Sequence, residues 1–324
     1  MNRFYSLLLA VFITATVLAG CAGTQENDSA TPANKEGQTE GQQESEFPLT
    51  ITDALDNEVV IEEKPERIVS MIPSNTEIAF ELGLGEKIVG VSDFDNYPAE
   101  AAEKEKIGGM EFNVEKIISL NPDLVLAHGS SAEAGEAGLQ QLRDAGLTVL
   151  VVNNANNLEE VYETIRMIGT AAGEKENAES VVAGMQEKIQ DIKEKAQQIP
   201  EEETRSVFVE VSPAPEIYTS GKNTFMDILL QTINAKNVVS EEGWIQMDPE
   251  AVIERNPDVI ITTHGYYTED PVENVKGRDG WQDIAAVKNN QVVDVDSDAV
   301  TRTGPRLAEG VEELAKAVYP ETFK

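Results

Sequence analysis

Cysteine is nearly absent. Cys21 is the only one in 324 residues, so no disulfide can form within the chain. Histidine is almost as scarce, with His128 and His264 alone, which removes zinc sites and most others built on Cys and His. Basic residues are few: 25 Lys and Arg face 59 Asp and Glu, a formal net charge of −34. A field of that sign repels nucleic acid, so none is expected as a partner. Neither G-x-x-x-x-G-K-[ST] nor G-x-G-x-x-G occurs, and the loops that cradle nucleotide phosphates are therefore missing. With no free thiol beyond Cys21 and no G-x-S-x-G, no nucleophile stands beside a base, and no enzymatic activity is expected.

What is present begins with an address. Arg3 precedes an apolar run from Leu7 to Val17, then Leu18-Ala19-Gly20-Cys21. The run is short for a membrane span and has the form of a secretory signal over residues 1–20. Small residues just before a cysteine resemble the bacterial lipobox, which implies cleavage before Cys21 and attachment of a diacylglycerol to its thiol. Two acyl chains suffice for stable anchoring. Residues 21–46 are polar and almost free of apolar side chains, a composition that cannot bury a core and predicts a flexible tether. Together these place the body at the cell membrane, lipid-anchored on its extracytoplasmic face.

The body contains a duplication. Asn113–Gly129 and Asp248–Gly265 align so that Glu115 matches Glu250, and Asn121-Pro122-Asp123 matches Asn256-Pro257-Asp258. Each Asn-Pro-Asp leads into an apolar strand, and strands alternate with helical segments, which argues for α/β lobes with mostly parallel sheets. A short hairpin around Asp56-Asn57 precedes the first lobe. Ser74-Asn75-Thr76-Glu77 has capping-box spacing and predicts a helix running from there to near Gly83. Over 174–199 apolar residues recur at Ala178, Val182, Met185, Ile189, Ile192, Ala196 and Ile199, the stripe of one long helix. The expected organisation is an N-terminal lobe over 47–173, a bridging helix over 174–199 and a C-terminal lobe over 200–324.

This order of hairpin, Pro65-Glu66-Arg67-Ile68-Val69, Ser74-Asn75-Thr76-Glu77, and two Asn-Pro-Asp strands flanking a long helix resembles the solute-binding proteins of ABC importers for cobalamin, ferric siderophores and haem. The resemblance covers residues 47–324. It implies the class III solute-binding fold: two similar α/β lobes joined by one rigid helix, with ligand held between them. It also implies partners, a permease dimer with its ATPase subunits and a small-molecule ligand. No resident cofactor is implied; the ligand itself would carry the metal, as a cobalt corrinoid or a ferric chelate.

The likeness is greatest to cobalamin-binding members. Val91–Pro98 resembles their loop that brings an aromatic ring to the ligand, which carries over Phe94 and, beside it, Tyr97. His128 stands where those members have a cleft Trp, and Trp244 resembles another of their cleft Trp residues. Ser297-Asp298 and Arg302-Thr303-Gly304-Pro305-Arg306 resemble their polar loop, carrying over Asp298 and Arg302. Two positions depart: Gly109 and Val211 stand where aromatic residues are expected. Tyr266 is a candidate for the cleft rim, and Trp281 is assigned to the core. A histidine pair from opposed lobes, His128 with His264, could ligate iron, although lining a loop is the plainer reading. Glu115 and Glu250 sit in first helical turns, where an acid complements the helix dipole; the family uses such acids to dock on permease arginines. The assigned cleft loops offer Arg302 and little other positive charge, which favours a corrinoid, or a neutral or cationic hydroxamate siderophore, over an anionic chelate such as haem.

Overall fold

The computed structural model describes residues 47–324; the signal, Cys21 and the tether lie outside the described residues. A hairpin of β1 (Leu49–Thr52) and β2 (Glu58–Ile61) opens the body. The first lobe follows as β3 (Ile68–Ser70), α1 (Pro73–Glu81), β4 (Ile88–Val91), α2 (Ala99–Ala102), β5 (Glu105–Lys106), α3 (Val114–Ser119), β6 (Leu124–His128), α4 (Gly129–Asp144), β7 (Thr148–Val152) and α5 (Leu158–Ala171). Helix α6 (Lys175–Ala196) crosses to the second lobe. There come β8 (Ser206–Ser212), β9 (Tyr218–Ser220), α7 (Phe225–Thr232), β10 (Lys236–Asn237), β11 (Trp244–Gln246), α8 (Pro249–Arg255) and β12 (Val259–Thr262). The chain ends with α9 (Pro271–Lys276), α10 (Ala285–Lys288), β13 (Val292–Asp294), α11 (Ser297–Thr301) and α12 (Leu307–Val318).

The first sheet is parallel throughout, in the order β5-β4-β3-β6-β7. In the second, β8, β12 and β13 run parallel, while β9 and β11 add an antiparallel edge and β10 pairs beside β8. Central strands are buried on both faces, which explains their unbroken apolar runs. Alternate residues serve different layers. Leu124 and Leu126 of β6 enter a middle cluster, whereas Val125 and Ala127 enter an outer one. Likewise Val207 and Val209 of β8 face the middle and Phe208 the far side.

That middle cluster is continuous across the molecule because α6 runs through it. Ala178, Val182, Met185, Ile189, Ile192 and Ala196 are all buried along one stripe, packed on α5 of the first lobe and on α7 and α12 of the second. The helix is three residues shorter at its C-terminal end than the 174–199 expected from periodicity. Gln197 caps it, and Pro200 stands just beyond.

The repeated Asn-Pro-Asp has a structural cause. Asn121 and Asn256 end α3 and α8 with φ of 47° and 45°, the left-handed conformation Asn tolerates. Proline then prevents further helix. The aspartate ties the segment to the first central strand of its lobe: Asp123 accepts from the amides of Glu66 and Arg67, both at 2.9 Å. Asp258 accepts from Ser206 N at 2.9 Å and Ser206 Oγ at 2.6 Å.

Ser74-Asn75-Thr76-Glu77 does not form the expected capping box. Helix α1 begins one residue earlier, with Pro73 in its first turn, and Ile72 at the N-cap provides no side-chain cap. Ser74 and Glu77 are both buried, and Glu77 is engaged by the other lobe.

Candidate ligand-binding cleft

The loop after β4 is built around a buried carboxyl. Ser92 Oγ donates to Asp95 Oδ2 at 2.5 Å, and Lys106 Nζ donates to the carbonyls of Ser92 (3.2 Å) and Asp95 (3.0 Å). Burial pushes the Asp95 pKa up, against the lowering effect of the Ser92 and Thr76 hydrogen bonds and of the Lys106 charge. With Asp95 turned inward, Phe94 and Tyr97 are turned out, at 54% and 44% exposure. Gly109 makes room for this. A Cβ there would lie 3.0 Å from the Phe94 ring, so the glycine found in place of an aromatic lets Phe94 pack against its loop.

Across the cleft, α11 and the residues after it reach this loop. Asn96 Nδ2 donates to Asp298 Oδ2 at 2.9 Å. Arg302 Nη1 donates to Asn96 Oδ1 and to Glu77 Oε1, each at 2.7 Å, and its Nη2 pairs with Asp298 at 2.9 Å. Arg306 donates to Glu77 through Nε (2.9 Å) and Nη2 (2.8 Å) and lies 4.1 Å from the Tyr97 ring centroid. Glu77 is thus a buried carboxylate held by two arginines of the opposite lobe, and its hydrogen bond holds the Arg306 pKa above its ordinary value. The structure therefore brings Phe94, Tyr97, Asp298 and Arg302 together. It commits Asp298 and Arg302 to lobe–lobe contact, a role that reasoning from the sequence assigned to ligand. Glu77, Asn96 and Arg306 were missed as members of this cluster. Arg306 stood in the quoted motif, but nothing local in the sequence pairs it with Glu77.

Behind this clasp a cavity of about 290 Å³ lies between the lobes, bounded by Ser74, His128, Ser130 and Asn154 on one side and by Phe225 and Thr301–Thr303 on the other. His128 caps α4: the Ser130 amide donates to its Nδ1 at 3.2 Å. Burial lowers its pKa to about 4, so the ring is neutral at pH 7.

His264 does not join it. His264 is fully buried, and its Nε2 donates to Glu210 Oε1 at 3.0 Å. Arg278 donates to both oxygens of that carboxylate and stacks 4.5 Å from the Trp281 ring, which is core as expected. Burial acts to raise the Glu210 pKa, but the Arg278 and His264 hydrogen bonds outweigh it and hold the group below its usual range. The two histidines thus make separate polar centres rather than an iron-ligating pair. Trp244 lies exposed on the edge strand β11, and Tyr266 is exposed against Tyr267, with ring centroids 4.7 Å apart. No described contact joins either to the Phe94 loop.

The periplasmic binding protein family model matches residues 68–299, spanning both lobes and α6. The chain belongs to this family. It is a solute-binding component of transport and not an enzyme. The binding protein is 49% identical, over the whole of both chains, to the ABC transporter substrate-binding lipoprotein YvrC of Bacillus subtilis. It is 26% identical to a cobalamin-binding protein of Halobacterium salinarum, over 99% of this chain and 86% of that one. Among solved structures, a possible iron-binding periplasmic solute-binding protein of Staphylococcus epidermidis superposes with a TM-score of 0.70 at 39% identity, covering 79% of this chain and 100% of that one.

Both candidate docking acids of the binding protein are exposed and make no ion pair among the described residues. Glu115 follows Asn113, whose Oδ1 accepts from the Lys116 amide at 2.9 Å. Glu250 opens α8, with Pro249 in its first turn, and Asp248 at the N-cap makes no capping bond.

Proposed function

We propose that this solute-binding protein of an ABC importer captures a corrinoid between its lobes and presents it to a permease from a lipid anchor at Cys21. The observation that carries the reading is the exposed Phe94–Tyr97 loop facing a second-lobe loop whose arginines are already neutralised. Rings and amide-type groups suit a large amide-rimmed macrocycle, whereas Glu77 and Asp298 leave Arg302 and Arg306 little net charge for a polyanion. The cobalamin-binding relative supports the same choice. Glu115 and Glu250 would dock the two lobes on the two permease subunits.

The possible iron-binding structure at 39% identity favours a second reading, a hydroxamate-type ferric siderophore or haem. Calorimetric titration of the full-length protein with cyanocobalamin, cobinamide, a ferric hydroxamate and haem separates them. Sub-micromolar corrinoid binding is expected. A flat corrinoid trace beside clear heat from an iron chelate overturns the reading in favour of the second.

A further inference from the structure

The two lobes are joined in two chemically different ways. Along α6 they share an apolar core. At the cleft edge the ties are polar side chains, and those of the second lobe are Asp298, Arg302 and Arg306. Residues 302–306 link α11 to α12 and carry no buried apolar side chain. At either end of the link, Val300 and Leu307 are anchored in the core. Among the described residues, no backbone hydrogen bond joins 302–306 to the first lobe. The segment is thus a strap, fixed at both ends to its own lobe and held to the other by side chains alone.

The fastening has an outer and an inner part. In the outer part Asn96 is exposed, and its carboxamide sits in a fork. Its Nδ2 donates to Asp298 Oδ2 at 2.9 Å, and its Oδ1 accepts from Arg302 Nη1 at 2.7 Å. Arg302 Nη2 also reaches the Phe94 carbonyl at 3.4 Å, which ties down the loop that carries the exposed ring. In the inner part Glu77 is buried and accepts from both arginines. Hydrogen bonds at an exposed amide exchange with water at small net cost, whereas a buried carboxylate between two guanidiniums is hard to strip. The clasp is therefore weakest at Asn96.

Arg302 stands both in the clasp and in the wall of the cavity behind it. That cavity holds about 290 Å³, below the roughly 300–1,000 Å³ of sites for drug-sized ligands. A macrocycle cannot lie between the lobes while the strap is fastened. Parting the whole interface would expose the α6 core to water, so releasing a polar strap is the cheaper movement.

We propose that residues 302–306 form a latched strap, fastened over the cleft in the ligand-free protein by Asn96 with Glu77 behind it, and that solute enters once Asn96 lets go of Asp298 and Arg302. Asn96 is then an autoinhibitory group, whose carboxamide fills a fork that would otherwise be open to a polar group of the solute. The proposal rests on the solute-binding reading of the cleft and adds what keeps the cleft shut.

The test compares full-length wild type with Asn96→Ala. A latch lowers apparent affinity by the fraction of time it is shut, so removing it speeds association. Stopped-flow mixing with cyanocobalamin, and with the ferric hydroxamate ferrichrome as a second solute, should show association about tenfold faster in the variant, which lacks two hydrogen bonds to charged groups. A residue that merely shapes the site would bind more slowly or more weakly when truncated. Amide hydrogen exchange without solute should quicken in 92–98 and 302–306 and stay unchanged in α6. If Asn96→Ala folds poorly, Asn96→Ser, too short to span the fork, decides in its place. Association at the wild-type rate or slower for both solutes overturns the latch, as does unchanged exchange in the two segments. If neither solute binds the wild type, the solute reading falls and exchange alone decides: quickened exchange upholds the fastening, and unchanged exchange overturns it.

Discussion

His128 caps α4 with one ring nitrogen, and the burial of the ring has a consequence for stability. Its pKa is about 4 in the folded chain against an ordinary 6.5. Between these values the unfolded chain binds the proton and the folded chain does not. The contribution is therefore fully present above pH 6.5 and is lost as pH falls through 4, by about 3 kcal/mol in total. Urea unfolding across that window should show the loss, and His128→Asn should flatten it; an identical slope in the variant would mean the ring is not buried in solution. Phe94 is the other residue on which the account leans. Phe94→Ala should weaken corrinoid binding by about 1–3 kcal/mol, as should Trp244→Ala if the ligand reaches β11; unchanged affinity in folded Phe94→Ala would place the ligand elsewhere. At this scale the sequence was informative where a residue acts locally. Trp281 could be read as core, and it is fully buried. His264 could not be placed, because its partners Glu210 and Arg278 come from distant parts of the chain.

The elements that were easiest to read are those whose own pattern decides them. Apolar strands β6, β7, β8 and β12 and the α6 stripe are buried because every other residue, or every third and fourth, has a core to enter. The short antiparallel strands β9 and β11 carry too few residues to show a period. The start of α1 shows why a local motif can mislead. Glu77 has the spacing to reach back to Ser74, but Arg302 and Arg306, 225 and 229 positions away, offer it two charge-assisted hydrogen-bonded pairs instead. Removing the buried carboxylate leaves Arg302 with Asp298 alone and Arg306 with only a 3.8 Å contact to Asp296. Glu77→Ala is expected to destabilise the protein by about 3–5 kcal/mol in denaturant unfolding. A loss below about 1 kcal/mol would show that the lobes part easily there and that the clasp is not a buried contact in solution.

For the whole molecule, one continuous core through α6 ties the two lobes of residues 47–324 into a single compact body. Glu115 and Glu250 stand at matching places on that body. Glu115→Ala and Glu250→Ala should each reduce uptake by cells, and the double variant should nearly abolish it, with ligand affinity within about 0.5 kcal/mol of wild type. Normal uptake by the double variant would leave the two acids as helix-start residues only. Cys21→Ser should release the protein from the membrane with unchanged affinity; fractionation that still finds it in the membrane after signal cleavage would point to another anchor. The duplication and the two-lobe plan were legible because a repeat shows in the sequence itself. The ligand was not, because a cleft is assembled from loops whose partners are set only by the fold. The most direct measurement is therefore a crystal structure of the protein with cyanocobalamin. The account predicts a corrin ring stacked on the exposed Phe94, at the cleft edge where the 91–98 loop meets the 296–306 segment. A corrin bound outside the cleft, or crystals that exclude it while admitting a ferric chelate there, would contradict it.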